Sequence, residues 1–492
     1  MNLLHACDDQ TLFGQWFRDR ATWQAWFAFI AAMFGLPMTP EQAAIYRMHT
    51  GRDELPTQAI TEGWLACGRR AGKSFVLALI AVFLACFKSY ADHLGPGERG
   101  TVLVIATDRR QARVIFRYVR GLITGTPMLA AMIQGQMRAD GLDLTNGVTI
   151  EVGTASFKTS RGYAFVAVLA DEIAFWPSED SAEPDFEILD ALRPGMASIP
   201  GSVLLCASSP YAKRGALWEA YKAYYGKSDP AVLFWRADTR SMNPTIPQAV
   251  IDRAMERDSA SASAEYLAEF RNDVQAFLTR EVVEACVTPG CFERPRIPGV
   301  KYNAFTDPSG GSSDSMTLAI SHGEGGKAIL DVIREVKAPF QPETAVIEFA
   351  QTLKSYGLTS VRGDRYAGNW PLDAFSRHGI TYQPAKLVKN DLYVSFLPLL
   401  NSQKTELLDN SRLVSQLVSL ERRTSRGGRD SIDHPPNHHD DIANCVAGAL
   451  VMTETRYRVN EASMGTYSRS TQRAPSRLQQ EAATWSAPCT IM

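Results

Sequence analysis

The pattern of apolar and polar positions divides the first part of the chain into short buried strands separated by helical stretches. The apolar run from Phe75 to Phe87 predicts a buried helix. Aromatic residues at helical spacing between about residues 10 and 35 predict an amphipathic helix that packs on the body of the protein. Strands are predicted at 101–106, 148–152, 164–170, 202–207 and 231–235. Strands alternating with helices are typical of a parallel α/β sheet, here assigned to residues 1–278.

A change in amino-acid composition near residue 279 indicates a second domain. Residues 279–298 are punctuated by proline and charge, and we predict that they form a linker. Beyond them, residues 299–456 predict a mixed α/β domain, and residues 457–492, which are polar and lack periodicity, predict a flexible tail. The predicted strands of the mixed α/β domain are 301–306, 316–321, 328–333 and 360–363, and its predicted helices are 343–356 and 441–452.

Bulk composition excludes several classes of protein. The 492 residues carry a formal net charge of −2, so the chain is not a uniformly basic nucleic-acid binder, and any such contact must come from local patches. The run from Phe75 to Phe87 is too short to span a bilayer, and the N-terminus lacks the features of a signal peptide, so we expect an intracellular protein. Eight scattered cysteines without zinc spacing indicate reduced thiols.

The tripeptide Gly72-Lys73-Ser74, between a predicted strand and the helix at Phe75, indicates a phosphate-binding loop. Backbone N–H groups there would point at phosphates, Lys73 would reach the β and γ oxygens, and Ser74 would ligate Mg²⁺. The match to a standard loop is imperfect, because Cys67 occupies a glycine position and Gly68 comes one residue late. The alternative is a turn that caps an ordinary helix.

An apolar strand that ends in Asp171-Glu172 supplies the acids that ATP hydrolysis needs. Asp171 is suited to hold Mg²⁺ through water, and Glu172 to polarise the attacking water. Such a strand also occurs by chance at a helix start. Its conjunction with the loop favours an ATPase, since each element predicts the other's place on one sheet.

Several other residues are candidates for ATP binding or coupling. Ser208 and Ser209, after another buried strand, are suited to sense the γ-phosphate, although a plain strand-to-turn fits equally well. The Gln42 amide is suited to read the edge of adenine. Arg69 and Arg70 are suited to stabilise transition-state charge, or one of them pairs with an acid. One face of a predicted helix carries a stripe of arginines that would either contact DNA phosphates or only face solvent: Arg110, Arg113, Arg117 and Arg120.

Three separated acidic positions in the second domain indicate a metal-dependent nuclease. Asp307 and Asp364 end predicted strands, and Asp440 and Asp441 begin a predicted helix. Carboxylates so placed would bind two divalent cations about 4 Å apart, as in ribonuclease H-like enzymes, although each Asp taken singly also fits a turn or a helix cap. A loop with Arg422, Arg423, Arg426 and Arg429 just before the acids is suited to grip DNA.

These motifs together resemble the large terminase subunit of tailed double-stranded DNA bacteriophages. The resemblance covers about residues 35 to 455, and deviant phosphate loops containing arginine are common in that family. It is carried by Gln42, the loop Cys67–Ser74, Ser160-Arg161-Gly162, Asp171-Glu172, Ala207–Pro210, Asp307, Gly363-Asp364-Arg365-Tyr366 and His439–Asn444.

The resemblance implies a P-loop (ASCE-type) ATPase with a parallel-rich sheet, followed by a ribonuclease H-like mixed α/β nuclease domain. It implies ATP with Mg²⁺ in the first domain and two divalent cations, Mg²⁺ or Mn²⁺, in the second. By the same resemblance Asp441 rather than Asp440 is the preferred third ligand, Asp314 is an auxiliary candidate, and Asn444 stands where some relatives carry another acid.

The resemblance further implies a motor that translocates viral double-stranded DNA into the procapsid and cuts concatemeric DNA. The implied partners are the portal protein, the small terminase subunit and further copies in a ring on the portal, with a monomer in solution. The implied location is the host cytoplasm and, transiently, the procapsid portal, and not the mature virion or a membrane. The rival hypotheses are a helicase-like remodelling ATPase without nuclease activity and a structural protein with vestigial sites.

Overall fold

The computed structural model describes residues 1–155, 162–176, 184–312, 314–364, 370–424, 430–436 and 438–454. The chain forms two compact units. The first comprises Met1–Phe277 with Ser419–His438, and the second comprises Leu278–Val418 with the chain from His439 onward. Among the described residues, no helix combines the length and apolarity needed to cross a membrane. The predicted tail lies outside the described residues.

The elements up to residue 277 build the first unit. Its strands are β1 (Glu62–Cys67), β2 (Gly100–Ala106), β3 (Ile133–Gln134), β4 (Gly141–Leu144), β5 (Val148–Thr154), β6 (Ala164–Asp171), β7 (Val203–Ser208), β8 (Val232–Ala237) and β9 (Val274–Ala276). Its helices are α1 (Leu3–Asp8), α2 (Gln24–Met33), α3 (Pro40–Thr50), α4 (Lys73–Phe87), α5 (Arg109–Thr124), α6 (Pro127–Ala130), α7 (Pro184–Met196), α8 (Gly215–Tyr224), α9 (Thr239–Met242), α10 (Gln248–Arg257) and α11 (Ser259–Leu267).

An eight-stranded sheet in the order β3-β4-β5-β2-β6-β7-β1-β8 forms the centre of this unit. The strands from β5 to β8 in that order are all parallel, and only β3 and β4 at one edge pair antiparallel. The strand β7 stands between β1, which leads into the loop, and β6, which ends in Asp171, as in ASCE-type P-loop folds. Parallel strands bring their carboxyl ends to one edge, so this topology gathers the predicted ATP residues.

The prediction of one amphipathic helix over residues 10–35 is wrong in the length of the helix and in its amphipathicity. Short 3₁₀ turns occupy Gly14–Trp16 and Arg20–Trp23, and the α-helix begins only at Gln24. The spacing of aromatic residues gives no sign of the turns that interrupt the backbone, such as the one in which the Asp9 carboxylate accepts hydrogen bonds from Thr11. Nor is α2 amphipathic, because every residue from Ala25 to Met33 is buried in the core.

The second unit is built mainly from residues 278–418 and the last described helix. Its strands are β10 (Tyr302–Asp307), β11 (Met316–Glu324), β12 (Lys327–Val336), β13 (Ser360–Gly363), β14 (Thr381–Pro384) and β15 (Thr405–Glu406). Its helices are α12 (Arg280–Glu284), α13 (Pro342–Ser355), α14 (Trp370–Arg377), α15 (Lys389–Asn401), α16 (Ser411–Ser419) and α17 (residues 441–454).

The sheet of the second unit has the order β14-β13-β10-β11-β12-β15. The strands β10, β11 and β12 form an antiparallel meander, and β13 and β14 add to β10 in parallel. This is the strand arrangement of ribonuclease H-like folds, which confirms the predicted fold class. The helix α17 lies close against β10, because a Cβ atom at Gly448 would approach the Phe305 ring to 2.5 Å.

A small three-stranded sheet completes the first unit. It joins β9 to β16 (Glu421–Thr424) and β17 (Asp430–Asp433), which follow the second unit's strands in the chain. The Glu421 side chain is fully buried and accepts hydrogen bonds from Tyr211, Arg214 and Arg423. Arg422 and Arg423 of the predicted DNA-gripping loop thus lie on β16, while Arg426 and Arg429 lie outside the described residues.

Candidate functional site

The loop between β1 and α4 is shaped by close backbone packing around its two glycines. Gly72 has a φ of 106°, a conformation that favours glycine, and the Trp26 indole N–H donates to the Ala71 carbonyl 2.9 Å away. Gly68 lies against the α9 region, where an added Cβ would overlap Thr239 Oγ1. Cys67 is the buried last residue of β1, and burial raises the pKa of its thiol to about 12. The loop therefore needs its glycine at 68, and position 67 is an unreactive strand end.

Lys73 begins α4 and its ammonium group is buried at the mouth of the loop. Nζ donates to the carbonyl oxygens of Cys67 and Gly68, at 3.0 and 3.4 Å, and to Ser209 Oγ at 3.0 Å. It also lies 3.3 Å from a carboxylate oxygen of Glu172. The loop lysine thus connects the ends of three neighbouring strands, β1, β6 and β7.

Asp171 is fully buried and directed at the start of α4. Its Oδ2 accepts hydrogen bonds from Ser74 Oγ at 3.0 Å and from Gln111 Nε2 at 3.1 Å. Its Oδ1 is buried and has no hydrogen-bond partner among the described residues. Burial, with the neighbouring Glu172 charge, raises the pKa of Asp171 to about 6, and Lys73 opposes this shift. An unpaired carboxylate oxygen beside a serine hydroxyl fits the Mg²⁺ site predicted for Ser74 and Asp171.

Glu172 is held in the left-handed region, with a φ of 52°, and it joins the loop to β7. Its Oε2 accepts hydrogen bonds from Ser208 Oγ and from the Ser209 backbone N–H, both at 3.1 Å. Non-glycine residues held in this conformation cluster at functional sites. The structure therefore brings together Lys73, Glu172, Ser208 and Ser209 as one hydrogen-bonded group.

The remaining candidates of the first unit lie apart from this group. The exposed Arg69 pairs with Glu265 at 3.2 Å, and the exposed Arg70 has a φ of 64°. Gln42 forms a capping box with Thr39 at the start of α3, and no hydrogen bond of the described residues joins it to the loop. The four arginines of the predicted α5 stripe are exposed. Gln111, which contacts Asp171, was not predicted, because nothing in its local sequence marks it.

In the second unit, strand register places Asp307 and Asp364 next to each other. Thr306 of β10 pairs with Gly363 of β13 in parallel, so the residues that follow them emerge at the same edge. A Cβ atom at Gly363 would come within 2.6 Å of the Thr306 carbonyl oxygen, so the close approach of the two strands requires glycine. Burial raises the pKa of Asp307 to about 7, with Asp441 and Asp364 adding to the shift.

The helix α17 supplies the third acid. The Thr317 hydroxyl of β11 donates to the Asp441 carbonyl at 2.9 Å, and the Ser315 N–H donates to its Oδ2 at 3.1 Å. Since Thr317 pairs with Asp307 across the β10–β11 ladder, Asp441 lies beside Asp307. Burial raises the pKa of Asp441 to about 6.

Asp440 has a different environment from its neighbour. Its carboxylate accepts from Lys389 Nζ at 2.8 Å and from the Tyr393 hydroxyl at 2.7 Å. This carboxylate already has a countercharge and two donors, which supports the preference for Asp441 as the metal ligand. Asp314, the auxiliary candidate, is exposed and lies 3.4 Å from His439.

Asn444, one helical turn beyond Asp440, touches the acid cluster directly. Its Nδ2 donates to Asp307 Oδ2 at 2.7 Å, and its Oδ1 is buried without a hydrogen-bond partner among the described residues. Asp307 and Asp441 are buried carboxylates with raised pKa values, and neither forms an ion pair among the described residues. With the Asn444 amide oxygen they make a set of oxygen ligands of the kind that divalent cations prefer. Residues Ser160, Arg161, Arg365 and Tyr366 of the resemblance lie outside the described residues.

Comparison with known proteins finds similarity only among solved structures. No family model and no curated protein matches the chain. The HK97 bacteriophage large terminase is 16% identical with a TM-score of 0.38, covering 85% of this chain and 96% of that one. The large terminase of a second, thermophilic bacteriophage is 12% identical with a TM-score of 0.36, covering 79% of this chain and 93% of that one.

Part of the chain is also similar to an isolated nuclease. The large terminase nuclease of thermophilic phage G20c is 16% identical with a TM-score of 0.31, covering 34% of this chain and 94% of that one. At these values the similarity is weak, and the two sites stand on their own geometry. The solved structures to which this chain is similar over most of its length are bacteriophage large terminases, the family that its sequence motifs resemble.

Proposed function

We propose that this protein is a viral DNA-packaging motor and nuclease. ATP hydrolysis in the first unit drives translocation of double-stranded DNA into a procapsid, and a two-metal endonuclease in the second unit cuts concatemeric DNA when packaging starts and ends. The observation that carries the proposal is that one chain holds two separately built sites. One is a phosphate loop after β1 with two acids at the end of β6, and the other is a cluster of three acids on a ribonuclease H-like sheet.

The contacts of Lys73 suggest how nucleotide binding prepares the first site. The β- and γ-phosphates would compete with Glu172 for the Lys73 ammonium, which lies 3.3 Å from that carboxylate. Glu172 would then be free to accept a proton from water, while its bonds to Ser208 and Ser209 hold it in place. Mg²⁺ held by Ser74 and Asp171 would neutralise charge on the phosphates. Loss of the γ-phosphate would change the position of Ser209, because Ser209 accepts a hydrogen bond from Lys73.

In the second site, Asp307, Asp364 and Asp441 would hold two divalent cations. Such ions stabilise the attacking and leaving oxygens of an in-line phosphodiester hydrolysis. Asn444 would fix the orientation of Asp307 through its 2.7 Å hydrogen bond. Asp440 would anchor α17 through Lys389 and Tyr393, which keeps Asp441 directed at the strand ends.

The working form that we propose includes further proteins. The motor would act as a homo-oligomeric ring on the portal protein and receive DNA from the small terminase subunit. It would operate in the host cytoplasm and at the procapsid portal, and would be absent from the mature virion.

Purified full-length protein tests the proposal with ATP and divalent metal varied independently. We expect ATP turnover that double-stranded DNA stimulates, and cleavage of plasmid DNA that requires Mg²⁺ or Mn²⁺. DNA-stimulated ATP turnover with no cleavage in any divalent metal would favour a helicase-like remodelling ATPase instead. Absence of both activities would show that the sites are vestigial.

A further inference from the structure

A groove of about 860 Å³ runs along the sheet of the second unit. Phe305 on β10 and Arg362 on β13 line it, and they stand two residues before Asp307 and Asp364 respectively. Alternate residues of a strand point to the same face, so the groove continues from the acid cluster towards the opposite ends of β10 and β13. Met452 of α17 forms one wall, and its Sδ lies 3.4 Å from an Arg362 nitrogen.

The charge of the groove is entirely positive. Its lining includes Arg296, Lys301, Arg362 and Lys386, and no aspartate or glutamate is among the described residues that line it. In the part of the chain that the structure describes, Arg296, Lys301 and Arg362 form no ion pair. The two other arginines and lysines on the strands of this sheet are paired, Arg334 with Glu293 and Lys327 with Glu406. Cations without carboxylate partners are available to an anionic ligand.

The dimensions match a nucleic-acid backbone. Lys301 lies six residues before Asp307, so at about 3.3 Å per strand residue the positive groove extends about 20 Å from the acids. At 3.4 Å of helix axis per nucleotide of one strand, this length corresponds to about six nucleotides. Arg362 precedes Asp364 by two residues, about 7 Å along the chain at the same spacing.

We propose that this groove binds the sugar–phosphate backbone of the DNA strand that enters the nuclease site. Arg362, Lys301 and Arg296 contact separate phosphates along the strand and set its position relative to Asp307, Asp364 and Asp441. The role of the groove in delivering DNA to the acids rests on the proposed nuclease function. Its binding step needs no metal, so the two can be tested separately.

The test measures binding of a fluorescently labelled short DNA duplex to the full-length protein in EDTA, where no metal-dependent cleavage occurs. We expect the double variant Lys301→Gln/Arg362→Gln to bind about tenfold more weakly at low salt. Its dependence of log affinity on log salt, between about 50 and 200 mM, should be shallower by about 2, the value for two lost phosphate contacts. The single variant Lys301→Gln, at an exposed position, should change the slope by about 1.

Lys404→Gln is the matched control, because Lys404 is exposed on the same unit and adjoins β15 at the other edge of the sheet. It removes the same charge and should leave affinity and slope unchanged. If both Lys301 variants match Lys404→Gln, the groove does not bind DNA. If polyglutamate displaces DNA as effectively as unlabelled DNA does, the groove takes an acidic protein segment and the proposal is wrong.

A failure of the nuclease function would look different. It would leave the wild-type protein unable to cut DNA in Mg²⁺ or Mn²⁺, while the effect of the groove variants on binding in EDTA would persist.

Discussion

Replacement of Asp307 by asparagine should make the metal-free protein more stable while removing its nuclease activity. Asp307 is buried beside Asp364 and Asp441, and its pKa rises from the usual 3.8 to about 7. A carboxyl group with a raised pKa binds more protons in the folded state than in the unfolded state. The contribution of Asp307 to stability is therefore greatest below about pH 4 and is lost as the pH rises through the folded pKa of about 7.

The size of the effect follows from that pKa difference. It corresponds to at most about 4 kcal/mol at pH 8, and to about 1–2 kcal/mol at pH 5. Asparagine carries no charge at either pH and can still accept the hydrogen bond from Asn444 Nδ2. Asp307→Asn should therefore raise the unfolding temperature of the second unit at pH 8 in EDTA by several degrees, and by at most about 15 °C.

Scanning calorimetry of the full-length protein measures this effect at pH 5 and pH 8. Asp373→Asn, at an exposed acid on α14, serves as the control and should change little. Addition of Mn²⁺ should stabilise the wild-type protein and not Asp307→Asn, because only the wild type keeps the ligand. If Asp307→Asn is less stable than the wild type at pH 8, or if its effect does not grow between pH 5 and pH 8, the reasoning on buried charge is refuted.

Four further substitutions test individual contacts. Glu172→Gln should retain ATP binding and lower the ATP turnover number by about 10²–10⁴-fold, since only the proton acceptor is lost; equal turnover would contradict its assigned role. Asp441→Asn should abolish plasmid cleavage, whereas Asp440→Asn should retain it and cost about 1–3 kcal/mol in the free energy of unfolding, because it removes the negative charge that faces Lys389 and Tyr393; the reverse pattern would exchange the two assignments. Gly68→Ala should lower stability by about 1–3 kcal/mol through overlap with Thr239, measured by thermal unfolding, and an unchanged melting temperature would show that the loop can move away.

Local sequence patterns predicted most of the sheet elements but not the long-range contacts. The predicted strand at 360–363 agrees with β13, and the buried helix predicted from Phe75 agrees with α4, which begins two residues earlier. Residues 419–438 return to the first unit because β16 pairs with β9, about 150 residues earlier in the chain. No periodicity in the sequence reports such a pairing.

The candidate sites show the same division. The apolar runs of the sequence predicted that Asp171, Glu172, Asp307 and Asp364 lie at strand ends, because the end of a strand can be recognised from local pattern. The different environments of Asp440 and Asp441 depend on Lys389 and Tyr393, which lie some fifty residues away. A partner at that distance in sequence carries no local signal.

Gln42 shows how a local motif can serve a structural purpose. The spacing Thr39-Pro40-Glu41-Gln42 is a capping-box pattern, and α3 uses it as one. Its predicted contact with adenine stays a prediction.

Paired single-site variants show whether the chain carries two independent active sites. ATP turnover and plasmid cleavage in Mn²⁺ should be measured side by side for Lys73→Ala and Asp364→Asn. Lys73→Ala should lose ATP turnover and still cut DNA, whereas Asp364→Asn should hydrolyse ATP at the wild-type rate without cutting. Plasmid cleavage by Asp364→Asn at the wild-type rate, or ATP turnover by Lys73→Ala, would contradict this prediction.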